Sequence, residues 1–296
     1  MGRDFDERFA ASRRAFDEAS DALALDLRGL CFEPDDRLAL TEYAQPAILA
    51  TEVAMLRGLA EAFGLAAQRF GGHSLGEYTA LVAAGVMPLG DAVRIVRHRG
   101  RLMQEAVPVG RGRMVAVIGT ELDPARIASA IDGLSVAVAN DNSPEQVVLS
   151  GLADDVPTAE CRLAESLGPP LRVVALDVSA PFHSTMMMPV EPAFAAVLES
   201  TSAGWDAARA RCVTSNLTGG FHDGDDVNLR IRLVRQISAT VRWRSNMAAL
   251  TAQPTRIVEV GPGRPLRGFF KAIGVAADSI ADVRSAERVL GTRSAA

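Results

Sequence analysis

Cysteine is scarce in this chain: Cys31, Cys161 and Cys212 are the only three in 296 residues. Their odd number and wide spacing exclude a disulfide framework and a thiolate metal site. Histidine is nearly as rare, with four residues and no H-E-x-x-H-like spacing, so no metal centre is expected. Lysine and arginine form no block. Formal charge is −5, and the arginines, far more numerous than the lysines, are scattered among acids. Nothing electrostatic points to nucleic acid or to a membrane partner. No apolar run approaches membrane-spanning length. The opening "MGRDFDERFAASRRAFDEAS" is charged and amphipathic without an apolar h-region, unlike a signal peptide. Asp6 stands where a myristoylation motif needs Ser or Thr. A cytoplasmic location is the expectation.

What is present is an apolar fraction of 48%, enough to fill a sizeable core in one large unit or a main domain with a smaller one. Helical spacing of apolar residues predicts helices within 5–29, over 43–63 and over 89–106. Between the last two, "FGLAAQRFGG" reads as a short, unusually polar strand and "HSLGEYTALVAAGV" as a helix. The texture then changes. Strands "GRGRMVAVIG", "LSVAVAND", "EQVVLSG" and "LRVVALDV" alternate with helices "DPARIASAID" and "DVPTAECRLAESLG". That β-α-β-β-α-β order is the split βαβ pattern of a ferredoxin-like unit. It predicts an α/β fold with an α/β-hydrolase-like, parallel-sheet main domain (1–111 and 180–296) and an inserted ferredoxin-like subdomain (112–179). A helix over 189–201, the strand "ARCVTSN", the helix "VNLRIRLVRQISA" and the strand "TRIVEV" resume the main domain. Residues 275–296 turn Ala/Ser/Arg-rich, the composition of a fraying tail.

Within "GGHSLGEYTAL", Gly72-His73-Ser74-Leu75-Gly76 fits G-x-S-x-G, which sets a serine on a strained strand-to-helix turn. The flanking glycines let the chain turn sharply, and the Leu75 amide lies near a helix N-terminus, where it can donate to a developing oxyanion. Serine is also a common helix cap, so the pattern needs a base to gain meaning. His73 adjoins the serine but projects elsewhere from the turn. His98 lies in a helix and His222 in the polar loop "GGFHDGDD". His183, in "DVSAPFHSTMMMP", falls where the chain returns from the inserted unit, a place from which it can reach over Ser74 as a general base. The methionines after it read as core or cleft lining.

Taken together, "GHSLGEYTAL", "RGRLMQEAV", "NSPEQVVLSG", "PFHS", "LVRQISATVRW" and "VEVGPG" closely resemble the malonyl-CoA:acyl-carrier-protein transacylase family, which includes polyketide synthase acyltransferases. The motifs run in the family's order along almost the whole chain. The resemblance implies a transferase for fatty-acid or polyketide synthesis, a monomer with no bound cofactor. Its substrates are malonyl-CoA and an acyl carrier protein bearing a phosphopantetheine arm. Ser74 would take the acyl group, His183 would act as base, and the main-chain carbonyl of Gln236 would hold the histidine ring in place of a carboxylate. Leu75 would donate its amide to the oxyanion. Arg99 would clamp the malonyl carboxylate, which a planar guanidinium can meet with two parallel hydrogen bonds. His73 and Phe182 would shape the substrate pocket, with the Phe182 ring crowding the space of a 2-methyl group. Asn140, Asn142 and Gln146 would line the cleft from the small subdomain.

The family opens with an apolar strand and a "PGQGSQ" loop that supplies a second oxyanion amide, and neither is seen in this sequence. One such donor is worth about 2.7–4 kcal/mol in the transition state. Two further readings follow: an editing acyl hydrolase acting on carrier-protein thioesters, or a catalytically weak structural subunit of a synthase. Arg99 speaks against the first, because neutral acyl chains have no use for a carboxylate clamp. Ser74 and His183 speak against the second, because a scaffold has no need of them.

Overall fold

The structure is a computed structural model that describes residues 1–168, 171–178 and 180–291. Four helices come first: α1 (Arg3–Arg8), α2 (Ala10–Leu23), α3 (Leu27–Phe32) and α4 (Thr41–Phe63). α2 buries Ala11, Ser12, Ala15, Phe16 and Ala19, one stripe at helical spacing, against α4. α4 stops at Gly64, whose left-handed backbone lets Gly64 N–H reach Ala60 O and Leu65 N–H reach Leu59 O. Two more helices follow, α5 (Gly76–Ala83) and α6 (Leu89–Glu105), and α6 packs along α4. Phe16, Leu30, Leu49, Leu81, Val93 and Val96 lie in the main core, which Phe194 and Leu233 join from later in the chain.

The middle segment follows the expected order: β1 (Gly112–Ile118), α7 (Pro124–Ile131), β2 (Val136–Ser143), β3 (Gln146–Leu152), α8 (Val156–Leu167) and β4 (Arg172–Ala175). The strands form an antiparallel sheet in the order β2-β3-β1-β4, with Val115 opposite Leu149 and Val117 opposite Val147. Alternation along the strands gives the sheet two apolar faces. Val115, Val117, Val147 and Leu149 pack with Ile127, Ile131, Val156 and Leu163 of the helices. Met114, Ala116, Ala139 and Val148 instead meet Leu176 and Phe182.

The remaining elements are α9 (Glu191–Thr201), α10 (Asp226–Arg235), α11 (Trp243–Thr251), β5 (Ile257–Val260), α12 (Pro265–Ala272), β6 (Ala277–Ile280) and α13 (Val283–Leu290). β5 and β6 pair in parallel around α12. The edge of β2 is stitched to the segment before α11: Val241 N–H donates to Ala139 O (2.8 Å) and Asp141 N–H to Val241 O (3.0 Å). Arg244 adds a 2.8 Å ion pair to Asp141.

Three expectations change. The strand in "FGLAAQRFGG" contracts to irregular chain with one ladder residue, Phe70, bridged in parallel to Val213. Its polar texture has a plain cause: Ala66, Ala67 and Gln68 are exposed rather than buried in a sheet. The first three residues of "ARCVTSN" belong to a 3₁₀ turn, Ala207–Cys212, in which Ala207 and Ala210 turn inward together, and only Val213 and Thr214 keep bridge pairing. The C-terminal tail is ordered through β6 and α13, where Ile280 and Ala286 pack with Phe5, Met55 and Leu59. Asp282 and Ser285 form a capping box, and Asp4 accepts from Val283 N–H at 2.7 Å, joining the two ends of the chain. Residues 292–296 of that expectation, and residue 179 at the subdomain boundary, lie outside the described residues.

Candidate active site

Ser74 sits between Phe70 and α5 in a left-handed conformation, φ +51°. A Cβ on Gly72 would lie 2.0 Å from the carbonyl carbon and oxygen of Gly76, so the turn closes only with glycine at 72. Gly76 is different. A Cβ there would meet nothing within 4 Å, so its own side-chain space does not explain it. Leu75 precedes the first residue of α5, where amides have no intrahelical acceptor. His183 is also left-handed, φ +56°, just after Pro181. The described non-glycine residues with positive φ are Ala24, Ser74, Glu121 and His183, so two of them face each other here.

The Ser74 hydroxyl donates to His183 Nε2 at 2.7 Å, and His183 Nδ1 lies 2.8 Å from the Gln236 carbonyl oxygen. A carbonyl only accepts, so Nδ1 carries the proton and Nε2 presents its lone pair to the serine. Burial, and next the Arg99 guanidinium, push the His183 imidazole down to about 3 from 6.5. The ring is therefore neutral at pH 7, the state a base needs.

α6 brings Arg99 inward. Leu89, Ala92, Val93, Val96, Arg99, Gly100 and Met103 share its buried stripe, whereas Arg94 and Arg97 pair with Asp91 and Glu42 on the other side. Arg99 is 2% exposed. Its Nη1 donates to Gln45 Oε1 (2.9 Å), and Nη2 donates to Gln236 Oε1 (3.0 Å) and Ser74 Oγ (3.1 Å). The Tyr78 ring lies 5.5 Å from the guanidinium, and Nε–H has no hydrogen-bond partner. Among the described residues Arg99 forms no ion pair. A buried cation without an anion beside a serine hydroxyl is a ready receptor for a carboxylate.

The other expected residues divide. His73 Nε2 lies 2.8 Å from Asn142 Oδ1, and Asn142 Nδ2 donates to Gln146 Oε1 at 2.8 Å, so these three form one chain across the two parts of the molecule. Burial lowers the His73 imidazole, opposed by that hydrogen bond. Phe182 packs where the main core meets the open face of the antiparallel sheet. Asn140 is buried and carries the backbone bridge to Val241.

Four polar residues escaped the sequence reading. Gln45 holds Arg99. Asn216 accepts from Ser74 N–H at 2.7 Å and donates to Gly72 O at 2.7 Å. Glu77 is fully buried, and His222, read as a loop residue, is only 3% exposed and lies 2.9 Å from it. Glu77 stood inside the quoted motif, but its inward aim had no local signal. Among the described residues no cluster of His, Cys, Asp or Glu could hold a metal ion, and no helix is long and apolar enough to cross a membrane.

A family model described as acyl transferase domain matches residues 1–262. The malonyl CoA-acyl carrier protein transacylase of Bacillus subtilis (strain 168) is 38% identical over 279 residues, 92% of this chain and 86% of its own. The solved malonyl CoA-acyl carrier protein transacylase from Clostridium perfringens has a TM-score of 0.90 at 34% identity, over 98% of this chain and 91% of its own. A malonyl-transacylase solved in complex with a type II PKS acyl-carrier protein has a TM-score of 0.88 at 36% identity, over 99% and 95%.

Proposed function

Because this chain belongs to the malonyl-CoA:acyl-carrier-protein transacylase family, we propose that it moves a malonyl group from coenzyme A to the phosphopantetheine thiol of an acyl carrier protein. Ser74 Oγ attacks the thioester carbonyl as His183 Nε2 takes its proton. The Leu75 amide receives the oxyanion. As the tetrahedral adduct collapses, the coenzyme A sulfur leaves and takes the proton from His183, leaving a malonyl ester on Ser74. The carrier thiol then gives its proton to His183 and attacks the ester, and Ser74 leaves with that proton. The Gln236 carbonyl keeps the imidazole in one tautomer throughout, the task a carboxylate performs in other triads.

The observation that carries this reading is Arg99: a buried guanidinium without a counter-ion, 3.1 Å from the nucleophile's oxygen. It favours an acyl group that ends in a carboxylate and so favours malonyl transfer over editing of neutral chains. The sheet order β2-β3-β1-β4, with a helix in each crossover, supports a ferredoxin-like reading of 112–179. The Phe70–Val213 bridge and the β5–β6 pair, both parallel, support an α/β-hydrolase-like reading of 1–111 and 180–296. His73, Phe182 and the Asn142–Gln146 pair serve the substrate cleft between them. The test is intact mass after mixing with malonyl-CoA. One malonyl group on the native chain and none on Ser74→Ala is expected; no adduct on folded native chain would refute the reading.

A further inference from the structure

Behind Ser74 lies a buried carboxylate that the acyl-transfer steps do not use. Glu77 sits in the first turn of α5 and is fully buried. Three donors converge on it: Asn216 N–H at 3.0 Å, His222 Nε2 at 2.9 Å and Gln236 Nε2 at 2.7 Å. His222 Nδ1 has no partner, which suits a neutral ring whose single proton is on Nε2 and points at the carboxylate.

Each of the two non-histidine partners holds part of the reacting group. Asn216 accepts the Ser74 amide proton and donates to Gly72 O, so it fixes both sides of the nucleophile turn. Gln236 does more. Its Nε2 binds Glu77 and Ser74 O, its Oε1 binds Arg99 Nη2, and its main-chain oxygen binds His183 Nδ1. The pull of Glu77 on the amide nitrogen sets which way the Gln236 side chain faces. Reversed, it would aim an NH₂ group at the guanidinium.

We propose that Glu77, anchored by His222, is a positioning residue that holds Ser74, His183 and Arg99 in register through Gln236 and Asn216. Glu77→Leu leaves Asn216 N–H, His222 Nε2 and Gln236 Nε2 without their acceptor, so Gln236 loses its orientation; Glu77→Gln does not, because His222 can move its proton to the free Nδ1 and accept from the new NH₂. A displacement of about 1 Å in such a site costs about 10²-fold in rate. A guanidinium whose seat has moved loses grip on a carboxylate while treating an acetyl group as before.

This inference rests on the reading of Ser74 as a malonyl acceptor, so the test includes native chain. Rates of Ser74 acylation are measured by intact mass with malonyl-CoA and with acetyl-CoA. Glu77→Leu is expected to malonylate about 10²-fold more slowly, and Glu77→Gln to recover most of the native rate. The preference of Glu77→Leu for malonyl-CoA over acetyl-CoA should fall about tenfold, the share of one charge-assisted hydrogen bond. An equal fall for both substrates with unchanged KM would mean a merely structural role and would overturn the proposal, as would native kinetics in Glu77→Leu. Should Glu77→Leu not fold, His222→Phe removes one donor and leaves Gln236 in place; a smaller loss of preference in the same direction is expected, and native preference would overturn the idea. No adduct on native chain would sink the transacylase reading and this one with it. An adduct on native chain with native behaviour in Glu77→Leu and His222→Phe would sink this one alone.

Discussion

Replacing Arg99 by alanine separates carboxylate recognition from acyl transfer itself. The guanidinium is buried, has an unpartnered Nε–H and reaches Ser74 Oγ, so a malonyl carboxylate arriving beside Ser74 finds donors that no protein carboxylate occupies, Glu77 acting on Arg99 only from beyond Gln236. Hydrogen bonds to charged groups are worth about 1.5–3 kcal/mol each. A two-pronged contact is then worth about 3–6 kcal/mol, or about 10²–10⁴ in kcat/KM for malonyl-CoA. Acetyl-CoA has no carboxylate to lose. Its rate changes through the lost Arg99–Ser74 and Arg99–Gln236 contacts, which malonyl-CoA loses equally, so the ratio of the two substrates isolates the carboxylate contact. The variant also strips donors from the Gln45 and Gln236 side-chain oxygens, which costs about 1–3 kcal/mol of stability each and requires assays well below melting. Competition between the two acyl-CoAs, read by intact mass of the Ser74 adduct, gives the ratio of kcat/KM values directly. The expected result is a collapse of that ratio, with Arg99→Lys intermediate because an ammonium is a point charge. An equal fall for both substrates would refute the reasoning and make Arg99 a packing or serine-orienting residue.

The remaining predictions concern pH and backbone. Because burial and Arg99 hold the His183 imidazole near 3, kcat/KM should persist well below pH 6.5, and Arg99→Ala should move its acid limb upward; a limb at or above 6.5 in the native chain contradicts this. Stability has two opposed contributions. The folded value of His183 is depressed, so its share is present above 6.5 and is lost as pH falls toward 3. The folded value of Glu52 is raised to about 7, chiefly by desolvation and then by Glu259, against its hydrogen bond from Thr79, so its share is present below 4.5 and is lost as pH rises toward 7. Each slope reaches at most about 1.4 kcal/mol per pH unit, and between 4.5 and 6.5 they cancel. Urea unfolding across that window should show Glu52→Gln losing stability as pH falls while the native chain stays nearly flat; parallel profiles would refute the pairing. Gly72→Ala, with its Cβ 2.0 Å from backbone, should cost about 3 kcal/mol or more and abolish acylation, whereas Gly76→Ala, with open space, should fold; equal melting temperatures would count against the steric account.

Much of this was legible where a local period carried it. The strands β1–β4 and the helices α7 and α8 stand where their pattern put them, because β1, β2 and β3 bury one face on the helices and the other with Leu176 and Phe182, while β4 is a largely exposed edge. Arg99 was carried by the resemblance rather than by a period, yet in the structure it falls in register with Val93, Val96 and Met103 while Arg94 and Arg97 fall on the wet side. What the sequence hid has no period. A one-residue ladder between Phe70 and Val213 leaves no alternation to read. The order of 277–290 comes from contacts of Ile280 and Ala286 with residues at the other end of the chain, which composition cannot report.

The buried polar residues were hidden for a further reason, and it bears on how the site works. Asn216, Glu77 and His222 meet only in three dimensions, at sequence separations of 139 to 145. A buried polar atom left unpaired is expensive, so such residues persist by pairing with one another, His222 Nδ1 being the atom of this set left over. Gln236 is where the set closes. Its main-chain oxygen orients the base, its side-chain oxygen holds the clamp, and its side-chain nitrogen ties both to the nucleophile's turn and to Glu77. A triad with a carboxylate behind the histidine puts a negative charge against the ring and raises its affinity for protons. Here that place is taken by a neutral carbonyl, and the nearby charge is the positive Arg99. The base is therefore weak in the empty site. Burial is the larger cause of the depressed His183 value and Arg99 the next; a carboxylate bound to Arg99 would offset only the second, so the substrate that fits the clamp also strengthens the base in part, whereas an acetyl group does neither.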